Sequence, residues 1–295
     1  METESGEVEI MKSVLLIGQS NMAGRGLKNE VKPIIHERIL VLRNGRFQPM
    51  TEPLHNDRPN AGIGPAASFA LAWCGEHPDE KIGLVPCAEG GSSIDEWLPG
   101  TLLFRHAVSE AKFALENSEL EAILFHQGEN DALNDWYQTY EEKLDQVLLG
   151  IRNELNAQNV PIVIGGLPDF LGKSGYGIHA VQHDKITSIL RNYADRHPNV
   201  FFAEASGLGP NEDGIHINAA SQRRFGLRYY DALKRISHDL SEKQENERLA
   251  RLLNRSLSPA EQVLEVQLEQ IDGKISFEEQ QERIQEIIER ASRQK

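Results

Sequence analysis

Leu15-Leu16-Ile17-Gly18-Gln19-Ser20-Asn21-Met22-Ala23-Gly24-Arg25-Gly26 is the stretch that decides how this chain is read. A short apolar run stops at Gly18, and a serine follows two residues later in a polar, glycine-rich turn. In an α/β fold this pattern lifts a hydroxyl off the end of a buried strand toward the ligand crevice. Residues after Ser20 are expected to open a helix, which would aim the Ser20 backbone N–H at a bound anion.

Working outward, the same alternation continues. Strand candidates are Val14–Ile17, Arg38–Leu42, Ile82–Val85, Ala122–Phe125, Ile162–Ile164 and Val200–Ala203, nearly continuous apolar runs as strands buried on both faces require. Helical patterns lie between them, at about 65–76, 103–117, 135–156, 179–196 and 219–238. The order predicts an α/β fold: a three-layer α/β/α sandwich with a parallel, flavodoxin-like sheet. In such a sheet the segments that leave strand carboxyl ends meet on one edge, although they are far apart in sequence.

Three further segments would meet Ser20 there. Asp213-Gly214-Ile215-His216 puts an acid and an imidazole three residues apart, close enough for the carboxylate to curl back onto Nδ1 and leave Nε2 free as a base. His183 also neighbours an acid, Asp184, but adjacent residues on a helix do not face each other. His126-Gln127-Gly128-Glu129-Asn130-Asp131 offers side-chain amides as oxyanion donors, Asn130 or Gln127. Ala88-Glu89-Gly90-Gly91-Ser92-Ser93 offers a backbone donor at Gly91 and lacks the lysine and spacing of a phosphate loop. Serine, histidine, acid and amide donors together point to acyl transfer. Ser20 is the candidate nucleophile, although its turn lacks the second glycine of the G-x-S-x-G elbow. Taken singly, each segment has a blander reading: a serine capping a helix, a loop histidine in solvent, acids at a helix start.

These four blocks resemble the SGNH hydrolases, through Ser20, Gly91, Gly128-x-Asn130-Asp131 and Asp213-x-x-His216. Gly18-Gln19-Ser20-Asn21-Met22-Ala23-Gly24 and Gln127-Gly128-Glu129 are similar to the sialate O-acetylesterase and acetylxylan esterase group, carbohydrate esterase family six, over about residues 12–238. The resemblance implies a serine esterase that removes O-acetyl groups from carbohydrates through an acyl-serine, with no metal and no cofactor. It implies a triad of Ser20, Asp213 and His216, and an oxyanion hole from Ser20, Gly91 and Asn130 or Gln127. It also places Gln19 and Asn21 at the substrate and leaves Glu129 as an alternative acid or a substrate contact; the one-turn spacing favours Asp213. Trp97, Trp136 and Tyr137 follow the second and third blocks and are candidates for stacking on a sugar. Two other readings use the same scaffold: a non-catalytic carbohydrate-binding protein, and a nucleotide binder, against which the missing phosphate fingerprint speaks.

The chain has 295 residues and a net charge of −14, which disfavours nucleic acid and anionic membranes as partners. The two cysteines, Cys74 and Cys87, form neither a disulfide framework nor a metal pattern. The acidic start, residues 1–7, is unlike a secretory leader, and the expectation is a cytoplasmic protein acting on small acetylated oligosaccharides or an acetylated sialic acid rather than intact xylan. After about residue 240 glycine nearly vanishes. The esterase domain is therefore placed at 1–239 and a helical extension at 240–295. Ser258-Pro259-Ala260-Glu261 and Ser276-Phe277-Glu278-Glu279 are capping boxes separated by Gly273, so 258–293 reads as a helical hairpin. A further helix is expected through Leu249, Leu252 and Leu253. The apolar stripe of this tail must be buried on the main domain or on another subunit, the latter giving a homo-oligomer.

Overall fold

The computed structural model describes residues 10–237 and 239–293; the acidic segment 1–7 falls outside them. In chain order the strands are β1 (Met11–Gly18), β2 (Ile39–Arg43), β3 (Arg46–Pro49), β4 (Ile82–Pro86), β5 (Ser118–His126), β6 (Ile162–Gly165) and β7 (Val200–Ala203). The helices are α1 (Ser20–Ala23), α2 (Ala66–Glu76), α3 (Leu102–Ala114), α4 (Tyr137–Leu155), α5 (His183–Arg196), α6 (Ala219–Leu233), α7 (Glu242–Leu253), α8 (Pro259–Ile271) and α9 (Phe277–Ser292). The sheet order is β3-β2-β4-β1-β5-β6-β7. β1 lies at the centre, in parallel register with β4 (Val14 opposite Leu84) and β5 (Ile17 opposite Phe125). Val14 to Ile17 are fully buried, which explains why this run carries no polar alternation. α2 and α6 pack together beneath β2, β4, β6 and β7, and α3, α4 and α5 form a second row.

The expected parallel sheet needs one correction. β3 is antiparallel to β2, pairing Leu42 with Phe47 and Arg43 with Arg46. Asn44 and Gly45 make the turn with φ of 51° and 71°. Both left-handed values are what a tight hairpin demands, and Asn-Gly supplies them. The signal stood in the sequence, but Arg46–Pro49 is half polar and offers no apolar run. Two helices fall furthest short of their expected ranges. The 179–196 pattern becomes helical at His183, after a 3₁₀ turn over Gly175–His179. The 219–238 pattern ends at Leu233, and Arg235 turns left-handed (φ 56°). Residue 238 lies outside the described residues.

In the tail, both expected capping boxes form, at Ser258 with Glu261 and Ser276 with Glu279; a third, Ser241 with Gln244, opens α7. Leu249, Leu252 and Leu253 pack against the main core. α7 lies against α6 and α2, and α8 against α9. No helix among the described residues is long and apolar enough to cross a membrane.

Candidate active site

β1 and β5 run side by side to their carboxyl ends, where Gly18 pairs with His126. A Cβ on Gly18 would stand 2.0 Å from the His126 carbonyl oxygen, so only glycine permits the approach. Gln19 N then donates to His126 O (2.8 Å), and the chain turns into α1 with Ser20 as its first residue. An N–H at that position has no carbonyl behind it within the helix. Ser20 thus presents both its hydroxyl and its backbone N–H at the strand end.

His216 comes from the loop before α6. Its Nε2 lies 3.0 Å from Ser20 Oγ, and its Nδ1 lies 2.7 Å from Asp213 Oδ2. With the carboxylate accepting from Nδ1–H, Nε2 is left as acceptor for the Ser20 O–H. Asp213 Oδ1 also accepts the backbone N–H groups of His216 (2.9 Å) and Ile215 (3.0 Å). Burial pushes the Asp213 pKa up, but the His216 backbone and ring and the Ile215 N–H outweigh it, so this carboxyl titrates below its usual range.

The second and third blocks close in from the other side. Gly91 has φ of 79° and open space where a side chain would stand. Its N–H has no acceptor among the described residues, while its carbonyl accepts from Asn130 Nδ2 at 3.0 Å. Asn130 keeps a second amide N–H free.

Three expected ligand contacts are corrected by burial. Gln19 is 2% exposed, and its Oε1 accepts from Gly128 N (3.1 Å), Asn130 N (3.4 Å) and Gln127 Nε2 (3.4 Å). Gln127 is 0% exposed; it donates to Ser92 O (3.2 Å) and Asp131 Oδ2 (2.5 Å) and accepts from Tyr140 OH (2.8 Å). These partners enclose its amide, whereas the Asn130 side chain of the same block is partly exposed. Asn21 is likewise buried, donating to Ile215 O (3.2 Å) and Glu129 Oε1 (2.6 Å) and accepting from Ile217 N (2.9 Å). These amides bind the four blocks to one another.

Glu129 does not touch His216. It is fully buried and accepts from His126 Nε2 at 2.6 Å as well as from Asn21. Burial acts to raise its pKa, but the His126 imidazole and the hydrogen bonds of His126 and Asn21 bring it below the usual range. Of the three aromatic candidates, Trp97 is a core residue donating to Ser92 Oγ (2.9 Å), and the Tyr137 ring is covered by Lys185 Nζ, 4.0 Å from its centroid. Only Trp136 is exposed.

Two acids brace the blocks: Asp57, which carried no sequence signal, and Asp131, which the third motif contains but for which the sequence suggested no bracing role. Asp57 Oδ2 accepts from Gly90 N (2.9 Å) and from the buried Arg25 (2.5 Å), which braces the glycine block. Asp131 Oδ2 accepts from Ile94 N (3.0 Å) and ties the third block to the second. Asp57 sits in a loop of ordinary composition, and nothing local distinguishes it from a solvated acid. Beside His216 opens a cleft of about 680 Å³, lined by Arg25, Leu27, Glu30, Asn60 and Glu212 among others.

Known proteins share this arrangement of strands. A solved protein of Arabidopsis thaliana is 28% identical, with a TM-score of 0.69, over 77% of this chain and 98% of that one. A crystal structure of NanS shares the fold, at 18% identity and a TM-score of 0.62 over 78% of this chain and 98% of that one. By sequence, a probable carbohydrate esterase from Arabidopsis thaliana is 31% identical over 237 residues, covering 72% of this chain and 86% of the relative. The profile of the family described as "Carbohydrate esterase, sialic acid-specific acetylesterase" matches residues 11–235. This chain belongs to that family of carbohydrate esterases, and it is a carboxylic ester hydrolase.

Proposed function

We propose that this protein is a serine acetylesterase that removes O-acetyl groups from saccharides through an acyl-serine. The observation that carries the reading is the unbroken hydrogen-bonded line from Asp213 to His216 to Ser20, at 2.7 and 3.0 Å. Ser20 Oγ attacks the acetyl carbonyl carbon while His216 Nε2 takes the hydroxyl proton. The ester C=O becomes an oxyanion facing the N–H groups of Ser20 and Gly91 and the free N–H of Asn130. Collapse of this adduct breaks the bond to the sugar oxygen, which leaves with the proton from His216 Nε2. Water then attacks the acyl carbon as it gives a proton to the same nitrogen, and collapse of this second adduct breaks the bond to Ser20 Oγ, which takes that proton back as acetate is released. Asp213 fixes the tautomer and stabilises the imidazolium that forms twice in the cycle.

Ser20→Ala removes the nucleophile and is expected to lower kcat/KM on 4-nitrophenyl acetate by ~10³-fold or more. Wild type mixed with this ester should show a burst of nitrophenol and an acetyl adduct on the peptide containing Ser20. Retention of more than about a tenth of the wild-type rate by a folded Ser20→Ala protein, or an adduct elsewhere, overturns the assignment. Binding of acetylated sugars without turnover would favour the carbohydrate-binding alternative.

A further inference from the structure

The cleft beside His216 carries information about charge. At about 680 Å³ it has the size of a small-ligand site. On the esterase reading, on which this inference rests, the imidazole delivers a proton to the departing alcohol, so the cleft next to it holds the sugar rather than the acetyl group. Among the described residues Arg25 is the only lysine or arginine in the lining. It is already engaged: its side chain is 4% exposed, with Nη2 2.5 Å from Asp57 Oδ2 and Nη1 2.7 Å from Gly24 O. Asp57 is as deeply buried and also holds Gly90 N. Turning Arg25 toward an incoming anion would strand a buried carboxylate and loosen the glycine block. The neighbouring Arg58 is exposed and does not line the cleft; it reaches Glu89 at 2.7 Å and Gly90 O at 3.1 Å. Of the cleft's three acids Asp213 is held by His216, and the other two are the reverse of Arg25. Glu30 and Glu212 line it, both are exposed, and neither side chain bonds to another described residue. Ionised carboxylates are acceptors only, suited to hydroxyl groups and hostile to a second carboxylate.

We infer that this cleft is the sugar subsite of an uncharged O-acetylated saccharide, in which Glu30 and Glu212 accept hydrogen bonds from its hydroxyls and repel sugars that carry a carboxylate. Sialic acids carry one, so in this respect the substrate named in the family's description does not fit this chain's cleft.

The test compares three substrates on the full-length protein: mono-O-acetylglucose, mono-O-acetylglucuronate, and the methyl ester of that glucuronate, which differs from it chiefly in charge. At low ionic strength the two uncharged sugars should be deacetylated with kcat/KM values within about threefold of each other, and the acid about tenfold more slowly; about 0.5 M salt should shrink the gap. The double variant Glu30→Gln/Glu212→Gln should shrink it too. Equal rates for the acid and its methyl ester at low salt overturn the inference. So does inertness of all three sugars while 4-nitrophenyl acetate is cleaved in a Ser20-dependent reaction. Failure to cleave 4-nitrophenyl acetate is a different result, which removes the esterase reading itself.

Discussion

The imidazole of His216 is held from two directions. Asp213 takes the ring through Nδ1, while Asn21 grips the backbone on either side of it, at Ile215 O and Ile217 N. Glu129 anchors Asn21 from behind and meets His216 only through it. The two acids therefore do different work. Asp213→Asn should lower kcat by about 10³-fold or more, because an amide presents the wrong hydrogen-bonding face to Nδ1–H and no longer balances the imidazolium. Glu129→Gln should cost roughly ten- to a hundredfold, through looser placement of the histidine loop. Steady-state kinetics on both variants, with circular dichroism to show that each is folded, decides the ranking; the reverse order would hand the acid's role to Glu129. The Asp213–His216 pair was legible in the sequence because its geometry is local, one turn of chain. Gln19, Asn21 and Gln127 were not. A side-chain amide bonds equally well to a ligand or to backbone, and only burial tells which.

At the scale of elements, α6 connects the site to the tail. Its first turn follows His216 directly, capped by Asn218, whose Oδ1 accepts Ser221 N at 2.9 Å. Its side facing α7 carries Arg224, Arg228 and Asp231. Glu245 of α7 is fully buried and accepts from Arg228 Nε (2.5 Å) and Arg224 Nη1 (3.3 Å), and Arg248 donates to Asp231 (2.6 Å). Arg228 also donates to the carbonyls of Glu204 and Ser206 after β7. Losing one partner from such a buried network is far costlier than the network is stabilising, because the remaining charges stay desolvated. Glu245→Gln should therefore destabilise the fold by about 3 kcal/mol, read as a lower urea midpoint with an unchanged slope. Glu261, the capping-box acid of α8, accepts Glu37 N and Ser258 N (both 2.8 Å) and both terminal nitrogens of Arg255. Arg255 is partly solvated, so Glu261→Gln should cost less, about 1–2 kcal/mol. A change in neither midpoint would mean that the tail is held by its leucines alone. The capping box was readable as a helix start; that its glutamate also fastens the tail to the loop at Glu37 was not, since the two are brought together by the fold.

For the whole molecule, the tail and the main domain share one set of buried charges. Truncation after about residue 240 should therefore lower the melting temperature sharply or prevent folding, because Arg224, Arg228 and Asp231 lose the partners that α7 supplies. A soluble truncated chain with an unchanged melting temperature would refute this. Acid should also weaken the fold. Burial, with Arg255 and Arg38 nearby, lowers the His36 pKa from 6.5 to about 4; burial does the same at His55, also to about 4. Both rings are neutral in the fold and bind protons more readily when it is lost. Their contribution to stability is complete above pH 6.5 and falls away as pH drops through about 4. Asp131 has the opposite sign. Burial raises its pKa from 3.8 to about 6, so its contribution is complete below 3.8 and lost as pH rises through 6. Between pH 6.5 and 4.5 it offsets part of the histidine loss. The melting temperature should fall across this window, and fall more steeply in Asp131→Asn; a shallower slope in that variant would overturn the assignment.

The order of the six parallel strands and the helices between them, the strand-to-turn position of Ser20, the Asp213–His216 spacing and the capping boxes of α8 and α9 followed from the sequence alone. Each rests on periodicity, turn chemistry or a contact within one turn of chain, and such features are set by neighbouring residues. The tertiary structure decided which amides line the site and which only brace it, because exposure is a property of the assembled layers. It decided that Arg25 is spent on Asp57, a pairing between loops thirty-two residues apart. It also decided that the tail's first helix buries its stripe and its charges on α6, since docking depends on a surface that exists only once the sheet and its helices have formed.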